Sequence, residues 1–168
     1  MILWIDLIKA IQDGFRISQT FTSPKLYVFD FDNTLVRTAE KINSENSYVY
    51  DIDELEFYEN MVNSIKLRIA RKNLCIVLSA RNPRQKDELS THLLNKRINV
   101  PVFVVRHHWI KAITLIIPAV MNLSKRIIVV DDMLYAEETG GAKSLFFPRK
   151  MLPKNVHLIT GKKVLKLR

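Results

Sequence analysis

The stretch of sequence that decides the fold is LYVFDFDNT, residues 26–34, in which an apolar run leads directly into two aspartates, an asparagine and a threonine. A short, continuous run of apolar residues rich in β-branched and aromatic types is typical of a strand buried on both faces. Runs of this kind recur along the chain, and we predict strands at 26–29, 74–78, 102–105, 126–130 and 144–147. The sequence therefore predicts a sheet of mainly parallel strands.

Helical patterns lie between these runs. Residues 58–72, 83–97 and 109–122 place apolar residues at three- and four-residue spacing, which predicts three helices. Pro118 falls late in the third segment, where we expect it to kink or end the helix. Strands that alternate with helices indicate an α/β fold with a doubly wound, mainly parallel sheet flanked by helices.

Segments outside this alternation divide the chain further. Residues 1–24 are assigned to an N-terminal amphipathic helix and its linker, and we expect the helix to pack on the domain or on a partner. Residues 25–148 are assigned to the core domain and residues 149–168 to a basic C-terminal extension. Within the core, residues 37–57 are acidic and polar without a strong period, which predicts a flap or small insertion.

Composition narrows the class of protein. The chain has 168 residues, 48% of them hydrophobic and 26% charged, which suits one globular domain and excludes disordered and collagen-like proteins. The single cysteine, Cys75, excludes an intramolecular disulfide and a zinc site built from several cysteines. No apolar run approaches the roughly 18 residues that a membrane span requires. With few cysteines and no export signal, we expect an intracellular, cytoplasmic protein, and a mitochondrial location stays open.

Charge is distributed unevenly along the chain. The net charge is +9, but residues 1–59 hold 5 basic and 11 acidic side chains, whereas residues 60–168 hold 21 basic and 6 acidic ones. Such asymmetry favours an anionic partner, which is a nucleic acid, a membrane surface or a phosphorylated substrate. The alternative is a solubilising charged face with a basic tail.

Polar residues follow the apolar runs at the points where the predicted strands end. In an open α/β sheet, ligands bind at the carboxyl ends of the strands, so these residues are candidates for chemistry. The helix predicted at 109–122 adds a lysine near its start. The residues expected at this edge of the sheet are Asp30, Asp32, Thr34, Ser79, Arg81, Lys111, Asp131 and Asp132.

These residue types suit phosphate chemistry. Carboxylates from separate strands can hold Mg²⁺, which prefers oxygen ligands. An aspartate beside the ion can attack a phosphate and form an aspartyl-phosphate, and a second aspartate can protonate the leaving alkoxide and then activate water. A hydroxyl and an ammonium group can hold the phosphate oxygens. The alternative is that the aspartates form turns and that Ser79 caps the helix near Pro83.

Two lysines are candidates for the ammonium group. Lys111 lies at the opening of a helix that follows a strand, twenty residues before Asp131. Lys125 lies just before the fourth strand, at the end opposite to the site. Since a strand of about 5 residues spans about 17 Å, Lys125 is poorly placed to reach the site. We choose Lys111 and keep Lys125 as the alternative.

At this point the chain resembles the haloacid dehalogenase-like (HAD) hydrolase superfamily. The segment VFDFDNTLV, residues 28–36, is similar to its first motif, a hydrophobic strand followed by D-x-D-x-T. Residues 76–79 are similar to its second, a strand that ends in Ser or Thr. A lysine that precedes the last motif strand is the third, and residues 129–132, a strand that ends in paired acids, are similar to the fourth. The resemblance covers residues 25–147.

The resemblance implies roles for the acids. Asp30 would be the nucleophile and a metal ligand, and Asp32 the general acid and base, with its main-chain carbonyl on Mg²⁺. Asp132 would be the third metal contact and Asp131 would orient the lysine, although the division between these two acids stays open, so both are candidate metal ligands.

The remaining candidates concern the substrate. The resemblance implies that Thr34 braces the active-site loop and that Ser79 binds the transferring phosphoryl group. Arg81 would assist phosphate binding, with a structural arginine as the alternative. Lys111 would be the motif lysine.

The resemblance also implies a reaction. The segments after Thr34 and after Ser79 leave room for no more than a small flap, so we expect a capless or minimal-cap phosphatase with an open site. The predicted function is Mg²⁺-dependent hydrolysis of a phosphomonoester, through an aspartyl-phosphate, at a nucleic-acid end or another exposed phosphate. Basic residues in 60–168 would bind the nucleic acid. The alternative is a HAD-like, non-catalytic RNA-binding or scaffold subunit of a ribonucleoprotein or other assembly, and the oligomeric state stays open.

Overall fold

The structure, a computed structural model, describes residues 4–37, 40–42, 48–50, 56–131, 152–159 and 161–166. Across these ranges, no helix is both long enough and apolar enough to cross a membrane. In chain order the elements are α1 (Trp4–Thr20), β1 (Lys25–Phe29), β2 (Val36–Arg37), β3 (Glu40–Ile42), β4 (Tyr48–Tyr50), β5 (Glu56–Phe57), α2 (Glu59–Ala70), β6 (Leu74–Ala80), a 3₁₀ turn (Pro83–Gln85), α3 (Lys86–Asn95), β7 (Val102–Val105), α4 (His108–Met121), β8 (Arg126–Val130), β9 (Val156–Ile159) and α5 (Gly161–Lys166).

Five strands form one parallel sheet in the order β7-β6-β1-β8-β9. β1 occupies the centre and pairs with β6 on one side and β8 on the other. The predicted α/β fold with a mainly parallel sheet is therefore confirmed. Because all five strands run the same way, their carboxyl ends meet at one edge of the sheet.

Alternation along β1 divides the core into two layers. Tyr27 and Phe29 pack with buried residues of α2 and α3, such as Ile65 and Leu93. Leu26 and Val28 point to the other face, which α1 and α4 cover. Successive side chains of a strand point to opposite faces, so a strand covered on both sides is apolar at every position. This explains why the strands read as continuous apolar runs.

The strands predicted at 26–29, 74–78, 102–105 and 126–130 are confirmed as β1, β6, β7 and β8. The strand predicted at 144–147 lies outside the described residues. The structure adds β9, which pairs in parallel with β8, inside the segment expected to be a basic extension. The segment VHLI is short and mixes half-buried, exposed and buried positions, so it lacks the continuous apolar run that marked the other strands.

Residues 37–57, predicted to be a flap or small insertion, contribute short antiparallel ladders in their described part. β2 pairs with β5, and β3 pairs with β4. These strands are two or three residues long, which is too short for an alternating pattern to show in the sequence. The β2–β5 pairing brings Phe57 opposite Val36, so the segment leaves and returns close to the carboxyl end of β1.

The three predicted internal helices are present. We expected Pro118 to kink or end α4, and the helix continues for three residues beyond Pro118, to Met121, so the proline itself does not end it. Proline has no N–H, so the carbonyl of Thr114 loses its usual helical donor. The side-chain amide of Asn122 donates to the carbonyl of Pro118 at 2.9 Å, which helps to satisfy the last turn.

The carbonyl of Thr114 faces α1 at a place where the two helices come very close. A Cβ added to Gly14 of α1 would lie 2.8 Å from the oxygen of Thr114 and 3.1 Å from Cβ of Ile117. Glycine therefore permits a helix approach that a larger residue would prevent.

We expect Gly14→Ala to lower the free energy of unfolding by up to about 2 kcal/mol. Overpacking a close contact costs about 1–3 kcal/mol, which outweighs the gain of about 1 kcal/mol that alanine brings to a helix. Equilibrium urea unfolding followed by circular dichroism measures the change. Gln12→Ala, on the exposed side of α1, is the control and should change stability by no more than about 0.5 kcal/mol. A Gly14→Ala protein more stable than wild type would contradict the close approach.

Candidate active site

Asp30 and Asp131 lie side by side at the carboxyl ends of β1 and β8. Val28 pairs with Val129 and Phe29 with Val130, so the two aspartates occupy the next level of the same ladder. The N–H of Asp30 continues that ladder by donating to the carbonyl of Val130 at 2.9 Å. Both aspartates are almost completely buried, with 3% and 2% of their surface exposed. The fold therefore holds two carboxylates close together in the interior, where like charges repel strongly.

Lys111 of α4 places its ammonium group between these two carboxylates. Its Nζ lies 2.6 Å from Oδ1 of Asp30 and 2.9 Å from Oδ2 of Asp131. Strand alternation puts both aspartates on the sheet face that α4 covers, which explains why a residue near the start of α4 reaches them. The lysine is itself buried, so the three side chains form an ion-paired cluster shielded from water.

The surroundings of Lys111 stabilise its charged form. Burial alone opposes the charge, but the carboxylates of Asp131 and Asp30 outweigh it and raise the pKa of Lys111 above its usual value. The lysine is therefore a cation throughout the neutral pH range. Two carboxylates and one ammonium leave the cluster with one net negative charge.

The position of Lys125 separates it from this cluster. Its Nζ donates to the main-chain carbonyl of Phe21, just before the amino end of β1. Of the two lysines considered from the sequence, Lys111 is the one that contacts the predicted acids.

Asp32 is presented by a tight turn that follows β1. The N–H groups of Leu35 and Val36 donate to the carbonyl of Phe31 at 2.9 and 3.1 Å. Asn33 adopts a left-handed conformation with φ 55°, which asparagine tolerates better than most residues. The turn reverses the chain directly after the strand, so Asp32 lies at the edge of the sheet instead of extending β1.

Arg81 grips the carboxylate of Asp32 with two parallel hydrogen bonds. Its Nε donates to Oδ2 at 2.7 Å and its Nη2 donates to Oδ1. The guanidinium is 1% exposed and lies 5.6 Å from the ring centre of Phe31. A bidentate pair of this kind fixes the carboxylate in orientation as well as in position. The sequence left Arg81 open between a phosphate-binding and a structural residue and did not indicate this partner, because nothing in the sequence links residues 49 positions apart.

Ser79 and Thr34 are buried at the same edge of the sheet. Ser79 lies near the carboxyl end of β6, fully buried, and its hydroxyl has no hydrogen-bond partner among the residues that the structure describes. A buried hydroxyl without a partner is costly, and a water molecule or a bound ligand can satisfy it. Ser79 shares a sheet face with Val77, on the side of α2 and α3. Thr34 is 5% exposed and lies in the turn after β1.

The donor set of the site is compatible with Mg²⁺. Among the described residues, no group of three or more His, Cys, Asp or Glu side chains is placed to hold a metal ion. The predicted ligand Asp132 lies outside those residues. Asp30 and Asp131 nevertheless offer hard carboxylate oxygens from neighbouring strands, and their cluster retains a negative charge after pairing with Lys111. Oxygen ligands and residual negative charge are what a magnesium ion requires.

Comparisons of this chain with protein-family models, with curated proteins and with solved structures found no match. Functional inference therefore depends on the chemistry of the residues themselves. The structure brings together Asp30, Lys111 and Asp131 in one cluster and Asp32 with Arg81 in a second.

Replacing Lys111 tests how strongly the cluster depends on its cation. We expect Lys111→Met to lower the free energy of unfolding by about 3–5 kcal/mol, because it leaves two buried carboxylates without their partner. Lys125→Met is the matched control, and the loss of its contact with a main-chain carbonyl should cost about 1 kcal/mol. Urea unfolding at pH 7 measures both. Equal effects of the two substitutions would contradict a special role for Lys111.

The raised pKa of Lys111 predicts how the difference in unfolding free energy between wild type and Lys111→Met depends on pH. A group whose pKa is higher in the folded protein stabilises the fold fully below its unfolded pKa, which is about 10.4 for lysine. The stabilisation is lost as the pH rises through the folded pKa. The gap in unfolding free energy between wild type and Lys111→Met should therefore be constant from about pH 7 to 9 and narrow above about pH 10.4. A gap that widens with pH would be inconsistent with the ion pairs.

Proposed function

We propose that this protein is a Mg²⁺-dependent phosphomonoester hydrolase that forms an aspartyl-phosphate on Asp30, as its resemblance to HAD-like hydrolases implies. The contact of Lys111 with both Asp30 and Asp131 is the observation that supports this proposal most directly. These three residues are distant in sequence, and each is a motif residue in the resemblance. The ammonium group of Lys111 lies within hydrogen-bond distance of both aspartates. An ion pair that only stabilises the fold would not require two aspartates and a lysine at the carboxyl ends of two parallel strands, which is where ligands bind in such sheets.

Asp30 and Asp131 would hold the magnesium ion through carboxylate oxygens, Asp32 through its main-chain carbonyl, and Asp132 as a further ligand. When bound, the ion supplies charge stabilisation for the phosphate oxygens. Lys111 adds a fixed positive charge next to Asp30, and Ser79 offers its buried hydroxyl to a phosphate oxygen.

The reaction divides into two steps at Asp30. In the first, a carboxylate oxygen of Asp30 attacks phosphorus, the bond to the leaving oxygen breaks, and protonated Asp32 gives its proton to the leaving alkoxide. In the second, ionised Asp32 takes a proton from water, the water oxygen attacks phosphorus, and the bond to Asp30 breaks. Inorganic phosphate leaves, Asp30 is again a carboxylate, and Asp32 is again protonated.

Arg81 enters this scheme as a positioning residue for Asp32. Both oxygens of Asp32 accept hydrogen bonds from the guanidinium, so the arginine sets where the acid lies in the resting protein. Protonation of Asp32 requires one of these bonds to open, and an incoming phosphate can accept the released N–H. Arg81 would thereby free one oxygen of Asp32 for protonation when the substrate phosphate binds.

The substrate class follows from the surface charge. Residues 60–168 hold 21 basic and 6 acidic side chains. Several of the basic side chains are exposed on the described surface, and a polymer of phosphates would gain from their attraction. We therefore propose a phosphate at the end of a nucleic acid as the preferred substrate. Arg84 is exposed just after the carboxyl end of β6, near the site, whereas five other exposed basic residues lie near the amino ends of the strands and could contact only a polymer that extends past the site. These are Arg71, Lys72, Arg97, Arg126 and Lys154.

We expect Asp30→Asn to lower Mg²⁺-dependent phosphatase activity by at least about 10³-fold, because the amide cannot act as the nucleophile. Activity is measured on p-nitrophenyl phosphate and on a panel of 3′- and 5′-phosphorylated oligonucleotides, nucleotides and phosphopeptides. Borohydride reduction during turnover should convert residue 30 to homoserine in wild type, which mass spectrometry detects. Asp87→Asn, at an exposed position of α3, is the control and should retain activity.

Activity that survives Asp30→Asn would contradict the assignment of the nucleophile. If wild type hydrolyses no member of the panel but binds RNA tightly and in a salt-sensitive way, the proposal fails in favour of a non-catalytic RNA-binding subunit.

Arg81→Lys distinguishes a positioning arginine from a substrate-binding one. Lysine keeps the charge but cannot form the bidentate grip, so Asp32 loses its fixed orientation. We expect kcat to fall by about 10-fold or more while KM changes by less than about 3-fold. Steady-state kinetics on the preferred substrate measure both constants. A large rise in KM with unchanged kcat would instead assign Arg81 to ground-state phosphate binding.

A further inference from the structure

The polarity of helix α1 is reversed relative to a normal surface helix. Two of its acids face the protein interior, with Asp6 7% exposed and Asp13 3% exposed. Five of its large apolar residues face outward, whereas Ile17 is fully buried. We call these five residues the α1 stripe, and they are Trp4 (79% exposed), Ile5 (72%), Ile8 (53%), Ile11 (37%) and Phe15 (47%).

The inward face of α1 attaches to the domain through polar contacts, small residues and the fully buried Ile17. Nζ of Lys9 lies 2.7 Å from Asp13 and donates to the carbonyl of Val104 at 2.9 Å. Arg106 lies 3.5 Å from Asp6. The small residues Ala10 and Gly14 are buried on the same face. The docking of α1 to the domain therefore does not use the α1 stripe, which stays available on the opposite side.

The spacing within the α1 stripe is that of a helix-pairing seam. Trp4, Ile8, Ile11 and Phe15 are separated by four, three and four residues, which is the alternation of the a and d positions of a coiled coil. A helix that packs only on its own domain does not need this second apolar line. The flanking positions Ile5, Leu7, Gln12 and Gln19 are uncharged, and Gly14, which is also a flanking position by its spacing, is buried against α4.

We propose that the α1 stripe is a dimerisation surface, which packs against the α1 stripe of a second copy of this chain. A second copy presents the same apolar seam with the same uncharged flanks, so pairing buries no unpaired charge. The exposed part of five large apolar side chains amounts to about 600 Å² per copy, or about 1,200 Å² for the pair, which reaches the lower range of specific interfaces.

The charges of α1 argue for a protein partner over a membrane surface. Helices that lie on anionic membranes carry excess Lys and Arg beside their apolar face. Both basic residues of α1 instead lie near Asp13, Lys9 at 2.7 Å and Arg16 at 3.7 Å. Two acids and two bases give α1 no net charge.

Sedimentation equilibrium of the full chain at roughly 1–100 μM tests the dimer. We expect wild type to dimerise in this range and the double variant Ile8→Gln/Phe15→Gln to bind at least about 30-fold more weakly. Leu67→Gln on α2 is the matched control, since Leu67 is 46% exposed and Phe15 is 47% exposed. Thermal unfolding confirms that the variants fold, and Trp4→Gln replaces the double variant if it does not. Monomeric wild type, or equal effects of variant and control, would overturn the proposal.

The salt dependence of dimerisation and a vesicle-binding assay distinguish a second copy of the chain from a lipid surface as the partner of the α1 stripe. Two copies of a protein with net charge +9 repel each other, so raising NaCl from about 50 to 500 mM should leave the dimer unchanged or strengthen it. Binding to vesicles that contain phosphatidylserine would weaken over the same range. A chain that is monomeric at every salt concentration and binds these vesicles through the α1 stripe would overturn the dimer in favour of a membrane surface.

Discussion

Lys111 carries its charge between Asp30 and Asp131, two carboxylates that parallel strands hold level with each other in the interior. Strand alternation and ladder register put the acids side by side, and without a cation their repulsion would oppose the very pairing of β1 with β8. The position of α4 follows from this requirement, because the helix must deliver one ammonium group to one place. The ion pairs of Lys111 with Asp30 and Asp131 therefore link β1, β8 and α4 at the site.

The charge of the site is opposite in sign to the net charge of the whole chain. The carboxylates of Asp30 and Asp131 with the ammonium group of Lys111 leave one net negative charge in the buried cluster. The chain as a whole has a net charge of +9. Such an arrangement attracts a cation locally and a polyanion at longer range, so the metal and the phosphate proposed for this site are drawn by different parts of the same molecule.

Much of the fold could be predicted from the sequence, because central strands covered on both faces must be apolar at every position. Prediction failed where that condition does not hold. Val156–Ile159 alternates in burial, so no continuous apolar run marked it. Pro118 was expected to kink or end α4, and the helix ends three residues later at Met121, where Asn122 provides a donor.

In the candidate site, too, some residues could be predicted from the sequence and some contacts could not. Asp30, Lys111 and Asp131 could be selected because each follows or faces the end of a predicted strand, and their contacts are as close as that placement implies. The roles of these residues in catalysis stay predictions. The grip of Arg81 on Asp32 could not be predicted, since it depends on the turn at Asn33 and on side-chain geometry across two elements.

The position of β9 beside β8 determines when that edge of the sheet can form during synthesis. β9 pairs in parallel with β8 but is separated from it by 25 residues, so a growing chain exposes the outer edge of β8 until that stretch has left the ribosome. The N–H of Asp131 reaches the carbonyl of Ile159 at 3.4 Å, which means that the backbone of this site residue gains that partner late in synthesis. Parallel pairings between distant segments form slowly, so this edge of the site depends on a pairing that a long loop must close.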